Sequence, residues 1–375
     1  MSCQTDIFIV GGGPAGLAAA IAARQNGLRV IVAERQQPPI DKACGEGLMP
    51  GAVAALRDLG VRFLPGEAIP FRGIRFLDGQ SGLATEAAFP HGVGLAVRRT
   101  VLHAKLIDRA AETGATMIWG AQVTQLSAES LACDGDEIKS RWIVAADGQQ
   151  SQLRAWAGLE PKRHGPTRFG FRRHFRLAPW TDFVEVYWGR NCQVAVTPVA
   201  PDEIGLAVIT RNSGTRLQEA LRQIPVLAAR VAGAQAITRE RGAPCALRRL
   251  PKLHRGRFVL IGDAAGSVDP VTGEGLGLAF RQAVSLGDAL RCANLRIYRE
   301  AHERIRLAPH RMSQLILTMD RMSWLRRRAL RVLAAEPGLF ARMVNGQADR
   351  PGPFLLGAMD TLRLGWRLAR SEGRS

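Results

Sequence analysis

The strongest constraint on the fold lies near the start of the chain. An apolar, β-branched run at residues 7–10 leads directly into a glycine-rich turn at residues 11–16, and an alanine-rich stretch continues to about Gln25. Asn26-Gly27 is a typical helix end, and a second apolar run finishes at Glu34. This order of strand, turn, helix and strand predicts a βαβ unit with parallel strands. We therefore expect an α/β protein.

The glycine-rich turn has the spacing of a loop that holds a dinucleotide. Gly11 permits the tight turn, Gly13 lets a pyrophosphate approach the backbone, and Gly16 lets the helix pack closely on the strand. The first helical turn presents free N–H groups and the positive end of the helix dipole to the phosphates. A carboxylate at the tip of the second strand can accept hydrogen bonds from a ribose. The candidate cofactor-binding residues here are Gly11, Gly13, Pro14, Ala15, Gly16, Glu34 and Arg35.

Two further segments have the pattern of a buried strand that ends in glycine and aspartate. The apolar run at residues 142–146 ends in Asp147-Gly148, and the run at residues 257–261 ends in Gly262-Asp263. Carboxylates at the ends of parallel strands are placed to hold sugar hydroxyls. A second glycine-rich helix start follows, and its dipole would stabilise the negative charge of a reduced flavin. Its candidate residues are Gly273, Gly275 and Leu276.

With these three motifs in order, the chain resembles the FAD-dependent group of para-hydroxybenzoate hydroxylase-like monooxygenases and geranylgeranyl reductases, from residue 5 to about residue 295. The resemblance implies that FAD is the cofactor and that Asp263 holds its ribityl chain. It also implies that Asp147-Gly148 lies near the pyrophosphate, that Arg99 contacts FAD, and that Val123 meets the adenine. In this group the Asp-Gly motif is linked to NAD(P)H, which we expect as the reductant.

The resemblance also implies the architecture: an α/β fold with a Rossmann-like FAD-binding domain of the glutathione reductase type, an antiparallel β-sheet substrate domain and a C-terminal helical extension. Period-two alternation in the middle of the chain agrees, since it predicts antiparallel strands with one solvated face. The expected FAD-binding domain comprises 1–70, 95–165 and 251–300. The expected substrate domain comprises 71–94 and 166–250, and a basic helical region comprises 301–375.

Two observations favour different reactions. The segment Cys44-Gly45-Glu46-Gly47-Leu48 resembles one in the geranylgeranyl reductases, and Gly266 stands where aromatic hydroxylases usually carry histidine. However, of the aromatic segment expected in the reductases' substrate domain, only Pro198 remains within residues 193–198. The W-x-W-x-I-P string of flavin halogenases is also missing, which argues against a halogenase.

The missing aromatic segment favours an NAD(P)H-dependent monooxygenase. In that reaction O₂ would form a C4a-hydroperoxide on the flavin, and a small hydrophobic aromatic, polyketide or isoprenoid-type molecule would be hydroxylated. The alternative is a flavoprotein that passes hydride to a carbon–carbon double bond. The complete set of motifs disfavours a third hypothesis, a non-catalytic flavin scaffold or sensor.

The candidate catalytic residues are Cys44 and Glu46, which the resemblance places near the flavin together with Gly45. Cys44 either gates the pocket or tunes the ring, or it is a small buried residue. Glu46 either acts as a general acid or base after burial raises its pKa, or it fixes its loop by accepting backbone N–H groups.

The candidate substrate-binding residues are Arg172, Tyr187, Trp188 and Pro198. Arg172 would hold an anionic substrate; alternatively Arg172, Arg173 and His174 form the solvated face of a strand. The two aromatic rings would stack on an aromatic ligand, or they pack within the sheet.

The chain has a formal net charge of +18, and part of this charge can serve anionic cofactors. No nucleic-acid-binding motif accompanies it, so we expect no nucleic-acid partner. Near the C-terminus, apolar residues at helical spacing alternate with Arg326, Arg327, Arg328 and Arg331. This pattern predicts either peripheral contact with an anionic membrane or a helix packed on the FAD-binding domain with solvated arginines.

Other features limit the location and chemistry of the protein. No apolar run is long enough to span a membrane, and no cleavable signal is evident at the start. The six cysteines are widely separated, and no Cys/His cluster has metal-ligand spacing. We therefore expect a reduced, metal-free, cytoplasmic enzyme, whose membrane association depends on the basic C-terminal helices.

Overall fold

A computed structural model describes residues 3–126, 131–161 and 167–345. Its strands are, in chain order, β1 (Cys3–Val10), β2 (Val30–Glu34), β3 (Gly47–Leu48), β4 (Ile69–Phe71), β5 (Gly73–Asp78), β6 (Ala84–Ala88), β7 (Gly94–Ala96), β8 (Thr116–Trp119), β9 (Val123–Leu126), β10 (Leu131–Cys133), β11 (Asp136–Ala145), β12 (Thr167–Arg176), β13 (Phe183–Trp188), β14 (Cys192–Ala200), β15 (Glu203–Thr210), β16 (Gln235–Ala236), β17 (Arg241–Ala246), β18 (Arg248–Arg249), β19 (His254–Arg255), β20 (Phe258–Leu260) and β21 (Gly266–Ser267).

The helices are α1 (Pro14–Gln25), α2 (Pro50–Asp58), α3 (Arg99–Glu112), α4 (Gln152–Trp156), α5 (Leu217–Arg222), α6 (Pro225–Arg230), α7 (Gly275–Arg291), α8 (Leu295–Arg321), α9 (Ser323–Ala335) and α10 (Pro337–Asn345). Short 3₁₀ turns span Gly262–Ala265 and Pro270–Thr272.

The first sheet has a parallel core in the order β20-β11-β1-β2-β8. Residues 7–9 in β1 have no solvent-exposed surface, which explains why this central strand is apolar on both faces. The neighbouring strands β19 and β10 extend the sheet in antiparallel pairing. The predicted βαβ unit is thus present as β1, α1 and β2.

Close helix packing covers this sheet. Helix α1 packs against α7, where an added Cβ on Gly287 would lie only 2.9 Å from the carbonyl oxygen of Ala22. Helix α3 packs on α1 as well. The buried apolar residues of these elements form one continuous core with the sheet, so the loops at its carboxyl edge stand on a rigid base.

The second sheet has the order β16-β12-β15-β14-β13-β5-β6, with β17 paired to β12. Most of its pairs are antiparallel, as predicted, but β13 and β5 are parallel. The parallel pair arises because β5 comes from the segment before α3, whereas β13 belongs to the later part of the chain. A small separate sheet joins β3, β7 and β4 beside it.

Both faces of the second sheet are covered, so the predicted solvated face is wrong for its centre. All six residues of β13 are buried. Helices α5 and α6 pack on one face, and the apolar sides of α8, α9 and α10 pack on the other. Successive side chains along these strands therefore point into two buried layers, one on each face, instead of into one buried layer and one solvent-exposed face.

The C-terminal helices differ from the predicted single basic helix. Helix α8 crosses residue 300 without a break, and the chain bends at Met322 before α9. Leu330 and Leu333 are buried against the second sheet rather than against the FAD-binding domain, and Arg326 is buried too. The expected break at Pro351-Gly352-Pro353 and the expected short helix around Trp366 lie outside the described residues. None of the described helices is both long and apolar enough to cross a membrane.

Candidate functional site

The candidate site is the crevice at the carboxyl ends of β1 and β11. The chain leaves β1 toward α1 on one side, and β11 lies on the other side, so the loops after these strands diverge. Such a point, where the strand order reverses, is the usual ligand site of an open parallel sheet. The backbone ties the loop starts together, since Ala146 donates to Val10 and Ile261 donates to Ala145 at 2.8 and 3.0 Å.

The glycine-rich turn is built as its spacing predicts. Gly11 has φ of +111°, and Cβ atoms on Gly11 and Gly16 would overlap the carbonyl oxygens of Ala146 and Gly11 respectively. Around Gly13, by contrast, nothing lies within 4 Å of an added Cβ. Gly13 is also the N-cap of α1 and has no side chain to cap it. The turn thus leaves both open space and unpaired helix N–H groups where a pyrophosphate is expected.

The Gly262-Asp263 turn meets the glycine-rich turn directly. A Cβ on Gly262 would lie 2.6 Å from the Cβ of Ala15, and the φ of Gly262 is +62°. The Gly262 N–H donates to the Gln282 side chain of α7 at 2.8 Å, which fixes the turn from behind. Asp263 itself is exposed to solvent, and desolvation by the surrounding protein raises its pKa. A hydroxyl ligand could therefore reach this carboxyl group.

The Asp147-Gly148 loop is held by a buried arginine that is not among the candidates chosen from the sequence. Arg154 donates to the carbonyl oxygens of Gln149 and Ala264 at 2.9 and 3.2 Å, which joins this loop to the Gly262-Asp263 turn. Asp147 accepts one bond from the Leu153 N–H, while its other oxygen is buried without a recorded partner among the described residues. Gly148 has open space around it.

Glu34 stands at the tip of β2, as predicted. Its carboxylate accepts from the N–H groups of Gly12 and Gln36 at 2.8 and 3.0 Å. Behind the same turn, the buried His103 side chain donates from Nε2 to the Gly12 carbonyl and accepts at Nδ1 from the Ile40 N–H. Desolvation lowers the pKa of His103, which is consistent with a neutral ring. Sequence reasoning assigned no role to His103.

The charged candidates converge on one groove. The charges of Arg99, Glu34, Arg35 and Asp263 all act on Lys42, whose pKa is lowered first by burial. The Nε atom of Arg99 is buried without a partner among the described residues. His103 lies four residues after Arg99 on the same face of α3. This spacing in the sequence could have identified His103 as a candidate residue of the site. Lys42, in the loop before Cys44, was also missed as a candidate.

These groups fit FAD. For a pyrophosphate, the groove offers free N–H groups and the cations Lys42 and Arg99. For the ribose and ribityl hydroxyls, it offers the carboxylates of Glu34 and Asp263. The unpaired Asp147 oxygen and the open space at Gly13 and Gly148 leave room for polar ligand atoms.

The remaining cofactor candidates border the same sheet edge. Val123 opens β9 just after Ala121, whose N–H donates to the Glu34 carbonyl at 3.0 Å. Gly273 has φ of +68°, Gly275 has open space beside it, and Leu276 packs on the main core. The start of α7 is therefore free for a ligand, while Leu276 anchors it.

The candidate catalytic residues lie in a loop that is tied to the second sheet. Glu46 is 3% exposed and has φ of +60°, a conformation that side chains rarely adopt. One carboxylate oxygen accepts from the Arg99 N–H at 2.8 Å, and the other lies 2.5 Å from Nε2 of His174. Cys44 is half-buried, and its Sγ accepts from the Glu46 N–H at 3.4 Å. Gly45 is exposed between them.

Arg172 and His174 do not form a solvated face, because both are buried on the side of β12 that meets this loop. Arg172 donates to Asp41 and, at 3.0 Å, lies beside Nδ1 of His174. A guanidinium can only donate, so Nδ1 accepts and Nε2–H donates to Glu46. Desolvation lowers the pKa of His174, in keeping with this neutral form. Arg172 therefore serves this network instead of an open substrate pocket.

Tyr187 and Trp188 are 1% and 0% exposed and have no free ring face for a ligand. The Tyr187 hydroxyl donates to Glu185 at 2.7 Å on the α5–α6 side of the sheet, while Trp188 packs edge-on against Phe76 on the other side. Pro198 is buried within β14. The stacking role expected for the two rings is thus a packing role.

Comparisons with known proteins agree with this site. A family model described as FAD binding domain matches residues 4–296. Menaquinone reductase from Mycobacterium tuberculosis (strain ATCC 25618 / H37Rv) is 30% identical over 312 residues, which cover 73% of each protein. Digeranylgeranylglycerophospholipid reductase from Methanocella arvoryzae is 28% identical over 297 residues, which cover 74% of each.

Solved structures show the same fold. A flavin-dependent brominase superposes with a TM-score of 0.75 at 20% identity, covering 90% of this chain and 97% of the other. A geranylgeranyl bacteriochlorophyll reductase-like protein from Thermoplasma acidophilum superposes with a TM-score of 0.72 at 18% identity, covering 97% and 96%. The expected fold class is confirmed, and the chain belongs to the FAD-binding domain family as an FAD-dependent oxidoreductase.

Proposed function

We propose that this oxidoreductase reduces a carbon–carbon double bond in a small hydrophobic substrate of quinone or isoprenoid type, with NAD(P)H as the reductant. The observation that carries the proposal is an apolar cluster that abuts the glycine-rich start of α7. Met49 belongs to this cluster, and its Sδ lies 3.8 Å from an added Cβ on Gly273. Val271, Met312 and Ile316 continue the cluster away from the groove. Met49, Met312 and Ile316 are themselves buried, so we expect an apolar substrate to rest against the partly buried edge of the cluster at Val271.

The relatives support reduction over hydroxylation. The curated proteins that match nearly three quarters of this chain include menaquinone and digeranylgeranylglycerophospholipid reductases. The two molecules in these names, menaquinone and digeranylgeranylglycerophospholipid, are hydrophobic and of quinone or isoprenoid type. The Cys44-Gly45-Glu46-Gly47-Leu48 segment points in the same direction.

When bound, FAD supplies hydride transfer, and the protein supplies binding, orientation and exclusion of water. Reduction of a double bond also needs a proton at the second carbon. Both oxygens of Glu46 are engaged, by the Arg99 N–H and by His174, so Glu46 holds its loop in place. Cys44, half-buried at the groove, is the group we propose as the proton donor.

Single-turnover assays without O₂ test the reaction. The FAD-loaded protein is reduced and mixed with menaquinone or with a geranylgeranyl lipid, and the masses of the product and of its side-chain fragments are measured, because reduction of the quinone ring to a quinol also adds two hydrogens. We expect a gain of two hydrogens that is as fast without O₂ as with it. Turnover only in the presence of O₂, with gain of one oxygen, would contradict the proposal.

A monooxygenase, the reaction that the sequence favours, is the second candidate. It is favoured by residues 193–198, where the aromatic segment of the geranylgeranyl reductases is missing, and it would require O₂. Here Gln193 bonds to Arg168 and is fully buried instead of lining a tunnel. The same assay separates the two candidates. Reducing the FAD-loaded protein with NADPH or with NADH at the start of the assay identifies the reductant.

Cytoplasmic location and peripheral membrane contact stay predictions. Vesicle co-sedimentation of the full chain at low and high salt tests the contact, because binding through the basic helices must weaken with salt.

A further inference from the structure

A second groove lies along α8, separate from the residues that converge on FAD. Its outer part, of about 440 Å³, has an apolar wall of Leu250, Pro251 and Leu253, and α8 lines the opposite side with two arginines and two glutamates, Arg299, Glu300, Glu303 and Arg304. This volume is within the range of small-molecule sites. Leu250 also lines a second, narrow inner space, so the two spaces adjoin at this residue. We refer to both together as the α8 groove.

The inner end of the α8 groove is cationic. It is lined by Arg248, Arg249 and Arg306, with His302 and His310 beside them and with the segment that follows the Gly262-Asp263 turn as its floor. The nearest carboxylate on α8 is Glu303, which pairs with Arg306 at 2.5 Å. Arg248 also lies 3.7 Å from Glu160, so some of the positive charge is already balanced.

Three nitrogens at this end lack partners among the described residues: Nε of Arg248, Nε of Arg306 and Nδ1 of His302. Arg306 is only 9% exposed and His302 only 3%. The two arginine Nε–H groups are buried donors without acceptors, which costs free energy, so a missing acceptor is expected at this end. The inner space of about 10 Å³ admits one water-sized group, such as a single oxygen atom.

We propose that the α8 groove binds an oxyanion, either phosphate or carboxylate, of a small ligand whose apolar part rests on Leu250, Pro251 and Leu253. One oxygen enters the inner end and accepts from Arg306 and Arg248, while the remaining charge faces Arg249 at the mouth. The site does not depend on the proposed reaction, because, of these described residues, only Arg248 also contacts the FAD groove, where it donates to the Gln149 carbonyl at 2.6 Å.

Titration of FAD-saturated protein with inorganic phosphate at low ionic strength tests the site, because FAD then occupies its own cationic groove. Calorimetry and the ring NMR signals of His302 are the two readouts. We expect saturable phosphate binding that shifts the His302 signals. We expect acetate and glycerol 3-phosphate to compete, and their relative affinities assign the preferred oxyanion.

Arg306→Gln and Arg222→Gln form a matched pair of variants. Each arginine pairs with a glutamate three residues earlier in its helix, but Arg222 is exposed and bonds Glu219 at 2.8 Å on α5, which does not line the groove. We expect Arg306→Gln to weaken phosphate binding by about tenfold or more, the loss for one charged hydrogen bond, and Arg222→Gln to leave it unchanged. Arg306→Lys keeps the charge but removes Nε, and it serves if the glutamine variant does not fold.

Several results would overturn the proposal. One is wild-type protein that shows no saturable phosphate binding, which would mean that water alone satisfies the three nitrogens. Another is equal weakening in both variants, which would mean that the ion responds only to net charge. Unchanged His302 signals during saturable binding would place the anion elsewhere.

Discussion

Gly13 and Gly16 lie three residues apart in the same turn, and we expect alanine to have a different effect at each position. Gly16→Ala should lower the stability of the fold, whereas Gly13→Ala should weaken FAD binding. An added Cβ at Gly16 would overlap the Gly11 carbonyl oxygen and lie 3.1 Å from the Ala146 Cβ. Backbone atoms cannot yield as a flexible side chain does, so α1 must move away from the sheet. Overpacking costs about 1–3 kcal/mol, against a gain of about 1 kcal/mol from replacing a helical glycine.

Gly13→Ala meets no atom within 4 Å, and the Gly13 backbone (φ −72°, ψ 176°) suits alanine. Loss of stability should stay below about 1 kcal/mol, since glycine is only modestly better than alanine as an N-cap. The new methyl group instead occupies the space expected for the pyrophosphate. A steric cost of about 1–3 kcal/mol there corresponds to roughly 5- to 150-fold weaker FAD binding.

Urea unfolding of the apo-proteins and equilibrium dialysis with FAD measure the two effects separately. We expect Gly16→Ala to unfold at lower urea and Gly13→Ala to unfold near wild type but retain little FAD. The reasoning is refuted if Gly13→Ala binds FAD as tightly as wild type, or if Gly16→Ala is as stable as wild type.

Three further predictions concern other buried groups. His174→Leu leaves one oxygen of the buried Glu46 carboxylate without its donor, while the other still accepts from the Arg99 N–H, and should cost about 1.5–3 kcal/mol in urea unfolding. His174→Gln, which retains an N–H donor, should cost clearly less, and equal losses would contradict the pairing. Burial lowers the pKa of His302 from 6.5 to about 4, so the unfolded chain binds the extra proton between these pH values and stability falls as pH drops. His302→Gln should remove roughly 3 kcal/mol of that acid-dependent loss, measured by unfolding at pH 7 and pH 4, and an unchanged pH dependence would show that His302 is not the group involved. Cys44→Ser should keep FAD content and stability but lower turnover about tenfold or more, while Cys292→Ser, an exposed control, changes neither; equal turnover in both variants would exclude Cys44 as the proton donor.

The FAD groove could be predicted from the sequence because each of its parts is local. Gly11, Gly16 and Glu34 belong to one strand–turn–helix–strand unit, and Asp147 and Asp263 each follow an apolar strand. The rule that parallel strands bring their carboxyl ends to one edge then assembles them. Family membership confirms FAD and the oxidoreductase class.

The partners of the buried polar residues could not be predicted in this way. Glu46 and His174 are 128 residues apart, and no local pattern shows that a strand of the second sheet meets the flavin loop. Without knowledge of that contact, charged residues such as Arg172 and His174 in a strand with alternating polarity predict a solvent-exposed face. Similarly, Trp188 is predicted as a ligand platform until α9 covers its face and brings Arg326 over the ring at 5.7 Å.

The strand order of the first sheet has a consequence for synthesis of the protein. Strand β1 lies at the start of the chain, yet its neighbour β11 begins at Asp136 and the next strand, β20, begins at Phe258. During synthesis on the ribosome, the edge of β1 that later pairs with β11 therefore stays unpaired until more than a hundred residues after β2 have emerged. The groove is complete only after Asp263 and the start of α7 follow. FAD therefore cannot assist the early steps of folding. It can bind and stabilise the FAD-binding domain only when folding is nearly complete.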